Sequence, residues 1–144
     1  HFPQIVSLSN ILLKKPNFID TAVEEYCDDK EKAIEKYGPI ELWDVSKVTD
    51  MSRMFHSVNS FNQDIGGWDV SKTYVMNEMF KNATSFNQDI GGWNVSSAHY
   101  MESMFQGATS FDKDLRGWDV SKVMNMNNMF DNCPIRGYFK CKPK

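Results

Sequence analysis

Apolar residues recur along most of this chain as a fixed phrase. Trp43, Trp68, Trp93 and Trp118 stand twenty-five residues apart, each opening W-D-V-S or, at Trp93, W-N-V-S. Eight residues after each Trp comes M-x-x-M-F, and in the first three copies S-F-[ND]-x-D-[IL] leads into the next Trp. Self-similarity at a fixed period of this size is the mark of stacked repeats, each too small to bury its own apolar face.

Within a copy, Met51, Met54, Phe55 and Val58 fall at i, i+3, i+4 and i+7, and Met76, Met79, Phe80 and Ala83 repeat that spacing. It predicts a short helix or 3-10 turn with one face toward a core. The W-x-V pair has period two, with Asp44, Asp69, Asn94 and Asp119 between the apolar residues, and predicts a brief strand. F-N-Q-D-I competes for the strand, but it would turn Gln63 or Lys113 inward with Phe61 and Ile65. Ile65, Trp68 and Val70 match the L-x-x-L-x-L spacing of leucine-rich repeats. The expected fold class is therefore an α/β repeat protein: a short right-handed LRR-like solenoid of short parallel strands and short helical or 3-10 turns, with an α-helical N-terminal cap. Its core is expected from Trp43, Trp68, Trp93 and Trp118 with Met54, Phe55, Met79, Phe80, Met104, Phe105, Met129 and Phe130.

The ends depart from the repeat, as the ends of a stack must. Three parts are expected: residues 1–41 as N-terminal segment and helical cap, 42–133 as repeats, and 134–144 as a capping tail. Ile19, Ala22, Val23, Tyr26, Ala33, Ile34 and Tyr37 form a helical stripe over 18–37 with acidic residues largely outside it. Asp20 or Thr21 can cap its start, and Gly38-Pro39 can stop it. Residues 1–17 carry Ile5, Val6, Leu8, Ile11, Leu12 and Leu13, too apolar for a free tail, and are expected to pack on the cap or on another protein. Cys133 sits at the position of Val58, Ala83 and Ala108, and a bridge to Cys141 would tie down the tail in an oxidising compartment. Cys27, in the opposite cap, is expected to stay unpaired within the chain.

Charge narrows the function. Sixteen Lys and Arg against nineteen Asp and Glu leave a net charge of −3 with no dense basic cluster, so nucleic acid is not an expected partner. No apolar run approaches the roughly 20 residues that a membrane-spanning helix needs. The chain begins at His1 rather than Met. A processed product of the cell surface, the extracellular space or an organelle lumen is the expectation.

Two acidic rows are the candidate binding residues: Asp44, Asp69, Asn94 and Asp119, and Asp64, Asp89 and Asp114 before the glycine corners. Stacked carboxylates repel, and a structural divalent cation such as Ca²⁺ could sit between them. The plainer reading is that each carboxylate accepts local backbone hydrogens in an Asx-turn, and Asn94 fits that reading better than a metal cage. His56 and His99 lack a nucleophile or carboxylate at a recognisable spacing, and no paired Cys/His zinc pattern occurs. No enzyme, cofactor or confident metal site is expected.

The phrase W-D-V-S-K-V-T-D-M-S-R-M-F, followed by S-F-N-Q-D-I-G-G-W-D-V-S, resembles the BspA-like surface-protein repeat, also described as the DUF285 or mycoplasma-lipoprotein repeat. The resemblance covers 42–133, and the lead-in E-K-Y-G-P-I-E-L-W-D-V-S, similar to algal and protist members, carries it back to about residue 18. It implies an LRR-like solenoid in secreted, surface or translocated proteins that work by binding, with no catalytic motif to transfer. The chain departs from the long surface arrays in being short and lacking an anchor signal. Two function classes follow. One is a non-catalytic interaction module presenting a polar face to a protein or surface glycan. The other is a small structural accessory subunit held in a larger assembly.

Overall fold

A computed structural model describes residues 18–143. The expected packing of residues 1–17 lies outside them. Helix α1 (Phe18–Asp28) and helix α2 (Lys30–Tyr37) precede a 3-10 turn at Ile40–Leu42. Coils follow at 43–67, 68–92, 93–117 and 118–133, and a tail contains a second 3-10 turn at Gly137–Phe139.

The single helix expected over 18–37 is two. Asp29 takes extended dihedrals (φ −147°, ψ 92°) and its side chain accepts a hydrogen bond from the Lys32 amide, so it caps α2 and breaks the run. Helix α1 already runs at Phe18, which places Asp20 and Thr21 inside it rather than at a cap. Gly38 ends α2 at φ 79°, ψ 176°, a region open essentially to glycine, and donates its N–H to the Ile34 carbonyl. The predicted stripe is buried: Ile19, Ala22, Val23, Tyr26, Ala33 and Tyr37. Tyr26 and Tyr37 meet the Trp43 indole edge-on, seating the cap on the first coil. The Tyr37 hydroxyl and the Lys36 ammonium both bond Glu25, joining α2 to α1.

The expected α/β LRR-like solenoid is overturned. Among the described residues there is no β-strand and no sheet, and the two α-helices belong to the cap. Coils meet at isolated parallel bridges, Asp50 with Val75, Val75 with Tyr100 and Tyr100 with Asn125. The M-x-x-M-F segment is a run of turns. Arg53, Ser57, Glu78, Asn82, Ser103, Asn128 and Asn132 have φ between 54° and 61°, and Gly107 has φ 72°. A left-handed residue every fourth position stops an α-helix from propagating. Met54, His56 and Val58 donate to carbonyls three residues back, while the alternating Met51, Arg53, Phe55 and Ser57 amides donate to Val75, Asn77, Met79 and Lys81 of the next coil. The same four bonds recur from Met76, Glu78, Phe80 and Asn82, and from Met101, Ser103, Phe105 and Gly107. Successive turns send Met51, Met54 and Phe55 inward as a helix would, so the spacing was right about burial and wrong about the backbone.

W-x-V does not form a strand because other groups make its cross-coil bonds. The indole N–H groups of Trp68, Trp93 and Trp118 donate at 2.8–3.0 Å to the carbonyls of Ile40, Ile65 and Ile90. At F-N-Q-D-I the Asn62 side chain accepts the Asn87 amide and the Asn87 side chain accepts the Asp112 amide. One short backbone ladder and two side-chain ladders thus stack the coils.

Inside, the rings of Phe55, Phe80, Phe105 and Phe130 stack at 5.5–5.8 Å, and Phe61, Phe86 and Phe111 stack beside them at 5.9 Å. The expected core residues are buried, Phe130 only partly. Burying one such side chain contributes about 1.5–3 kcal/mol. Thr73, the one buried polar residue described, donates its hydroxyl to the Val48 carbonyl.

Candidate recognition face

The two acidic rows are places where the chain turns. Oδ1 of Asp44, Asp69 and Asn94 accepts both the amide and the hydroxyl of Ser46, Ser71 and Ser96, and Asp119 accepts the Ser121 amide. Asp64 and Asp89 accept the amides of Gly66 and Gly91 in the same way. Asp114 accepts the Arg116 amide and a two-pronged guanidinium contact. These bonds hold Asp114 at about 2 and lower Asp69, where the Ser71 hydroxyl is the main cause. A neutral Asn94 makes the same turn as its carboxylate counterparts, so the row needs an acceptor oxygen rather than a charge. Among the described residues no three His, Cys, Asp or Glu side chains gather where a metal ion could be held. All three cysteines are free thiols, with Cys133 Sγ 3.5 Å from the Phe111 carbonyl and Cys141 buried, so the Cys133–Cys141 bridge is not formed here.

A different row faces outward with chemistry that the fold does not consume. Beside the bridges, the Tyr74 amide donates to Thr49, His99 to Tyr74 and Met124 to His99, at 2.7–2.9 Å. This column of backbone bonds holds Thr49, Tyr74, His99 and Met124 one above another. Tyr74 is 42% exposed and Met124 69% exposed. The His99 ring stacks on Tyr74 at 4.1 Å and 21°, while Tyr100 approaches Tyr74 edge-on at 5.7 Å. His99 Nδ1 lies 2.8 Å from the Ser97 carbonyl, which can only accept, so Nδ1 carries a hydrogen and the ring is fixed. Lys72 and Lys122, with Asp50, Val75 and Ser97, border a shallow groove of ≈ 560 Å³ over the stack.

Elsewhere in the coil the copies agree because packing or a turn demands it: Trp, Ser two after the Asx residue, Met and Phe. At this column they read Thr, Tyr, His and Met. The acidic rows drew attention by their regularity, but regularity marks what holds the coil. The signal for the exposed column was a position where the copies disagree and three of the four carry a large side chain. The order aromatic–aromatic–thioether offers contact area at small entropic cost. His56 and His99 are both half-buried, and the structure brings to His56 neighbours that its sequence spacing did not suggest: its Nδ1 lies 3.2 Å from the Ser57 hydroxyl and its Nε2 3.9 Å from the Glu78 carboxylate.

A family model described as Mycoplasma protein of unknown function, DUF285, matches residues 21–136. Comparison with curated proteins and with solved structures gives no match. Among the described residues no helix is long and apolar enough to cross a membrane.

Proposed function

The chain belongs to the family of Mycoplasma proteins of unknown function, DUF285, and from that premise we propose that it is a non-catalytic recognition module whose Thr49–Tyr74–His99–Met124 column holds a protein partner. The observation that supports this reading is the exposed Tyr74 ring stacked on His99, with exposed Met124 next in a column joined by three cross-coil backbone hydrogen bonds. Large side chains left in water on a rigid scaffold lose little entropy on binding, and aromatic anchors of this kind dominate protein contacts. Lys72 and Lys122 at the groove edge add orientation rather than most of the affinity.

A photo-crosslinking side chain placed at Tyr74, with a control at exposed Asn59, tests it in native material. The expected result is one discrete protein adduct from position 74, absent from position 59 and lost in a His99→Ala, Met124→Ala variant whose melting temperature matches its parent. Equal labelling from both positions, or an adduct that survives the double variant, would remove the column from consideration. A purely carbohydrate adduct would transfer the reading to a glycan.

A further inference from the structure

Two tripeptides within the repeats, Asn82-Ala83-Thr84 and Asn94-Val95-Ser96, match the N-x-[ST] sequence at which oligosaccharide is attached to asparagine. Such matches arise by chance in a chain this rich in Asn, Ser and Thr, so geometry has to separate them. The fold holds the two in different ways.

Asn94 stands where the other coils carry Asp44, Asp69 and Asp119. Trp93 and Val95 on either side of it are buried, and Asn94 is exposed. Its Oδ1 accepts the Ser96 amide at 3.1 Å and the Ser96 hydroxyl at 2.6 Å. A backbone N–H can only donate, so the bonded atom is the oxygen and Nδ2 is left over. Among the described residues nothing accepts from Nδ2. The turn itself needs only the oxygen, since Asp69 Oδ1 takes the same two bonds from Ser71. Relief of charge does not require an amide either: Asp44 and Asp69 keep carboxylates in adjacent coils of this row, and Asp64 and Asp89 do so in the other. What Asn94 adds is an unused amide nitrogen two residues before a hydroxyl that already bonds the same amide.

Asn82-Ala83-Thr84 offers no such arrangement. Asn82 has a left-handed backbone at φ 58°, and its Oδ1 stands in the space that a Cβ on Gly107 of the third coil would take. The Thr84 carbonyl is tied to that coil by the Ser110 hydroxyl.

We propose that Asn94 is an N-glycosylation site and that Asn82 is not. The sugar donor is a lipid-linked oligosaccharide diphosphate. Nδ2 attacks the anomeric carbon of its first sugar: the N–C bond forms, the C–O bond to the diphosphate breaks, the lipid diphosphate leaves with that electron pair, and one Nδ2 hydrogen passes as a proton to a base of the transferase. The two hydrogens donated to Oδ1 draw electron density from the amide, which makes this proton easier to lose. In the folded coil the sugar replaces a hydrogen that bonds nothing, so Trp93 and Val95 keep their packing. The glycan is carried by the chain rather than bound by it, and the site is independent of the Tyr74–His99 column.

Intact mass and site mapping on the chain isolated from native material test it. A peptide N-glycosidase in heavy-oxygen water converts a glycosylated Asn to labelled Asp. Cleavage after aromatic residues then separates Asn94, in 94–100, from Asn82, in 81–86. The expected result is an intact mass raised by an oligosaccharide, labelled Asp at position 94 and unlabelled Asn at 82. Asn94→Asp, expressed in the same cells, should lose the added mass and melt with the deglycosylated parent, which carries the same Asp. Ser96→Ala should lose the added mass and Ser96→Thr should keep it. A native chain of bare polypeptide mass, labelled Asp at 82 instead of 94, or added mass that survives Asn94→Asp each overturns the proposal.

Discussion

A hydrogen in place of a methyl group decides where two coils can touch. A Cβ on Gly91 would lie 2.4 Å from the Asp114 carbonyl oxygen, whereas one on Gly92 would meet nothing within 4 Å. Gly91→Ala should lower stability by about 1–3 kcal/mol, and Gly92→Ala should change it by no more than about 0.5 kcal/mol, both read from denaturant unfolding. The third corner has Arg116 at the equivalent position, where the tail replaces a full coil and Arg116 lies over the Tyr138 ring at 4.0 Å. That guanidinium holds the Asp114 carboxyl at about 2. A carboxyl depressed in the folded state stabilises above its unfolded value, near 4, and loses that contribution as pH falls toward 2. Melting temperatures of the parent and Asp114→Asn should therefore differ most at neutral pH and converge between pH 4 and 2. A difference constant across that range would show that the ion pair does not couple to folding.

At the scale of elements, single polar side chains override patterns that extend for many residues. The stripe over 18–37 reads as one amphipathic helix, and Asp29 divides it by accepting the Lys32 amide. Asp29→Ala should cost about 0.5–2 kcal/mol, and Asp29→Asn, which keeps the acceptor, should cost much less. Equal losses in thermal melts of the two variants would mean that the cap bond contributes nothing. The M-x-x-M-F turns teach the same lesson. Their apolar spacing is common to an α-helix and to successive four-residue turns, so it located the buried face of Met51, Met54 and Phe55 without distinguishing the two backbones. The choice rests on amides that leave the segment for a carbonyl 24 residues later, such as Phe55 to Met79, and on a left-handed residue at every fourth position. Neither is encoded in a local window.

For the whole molecule, stability is the sum of neighbouring contacts along a short stack, and the ends are the places to probe it. Burial of Cys141, a residue of the tail, pushes its thiol up to about 11, while Cys27 is exposed on the opposite cap. Because the thiolate is the reactive form, a maleimide at neutral pH should label Cys27 first and Cys141 only as the tail detaches. Mass spectrometry of partly labelled protein would show this order, and labelling of Cys141 as fast as Cys27 would mean that the tail does not cover the last coil. The twenty-five-residue tryptophan spacing determined from the sequence alone that coils stack and which residues form the core, because burial of an apolar side chain is written in its period. What joins the coils was decided only in three dimensions: turns with isolated bridges in place of strands, an indole reaching the carbonyl 28 residues back, and a Tyr74–His99 stack turned to solvent. Backbone handedness and the partner of each amide depend on groups a full coil away, and no local pattern of apolar and polar residues carries that information.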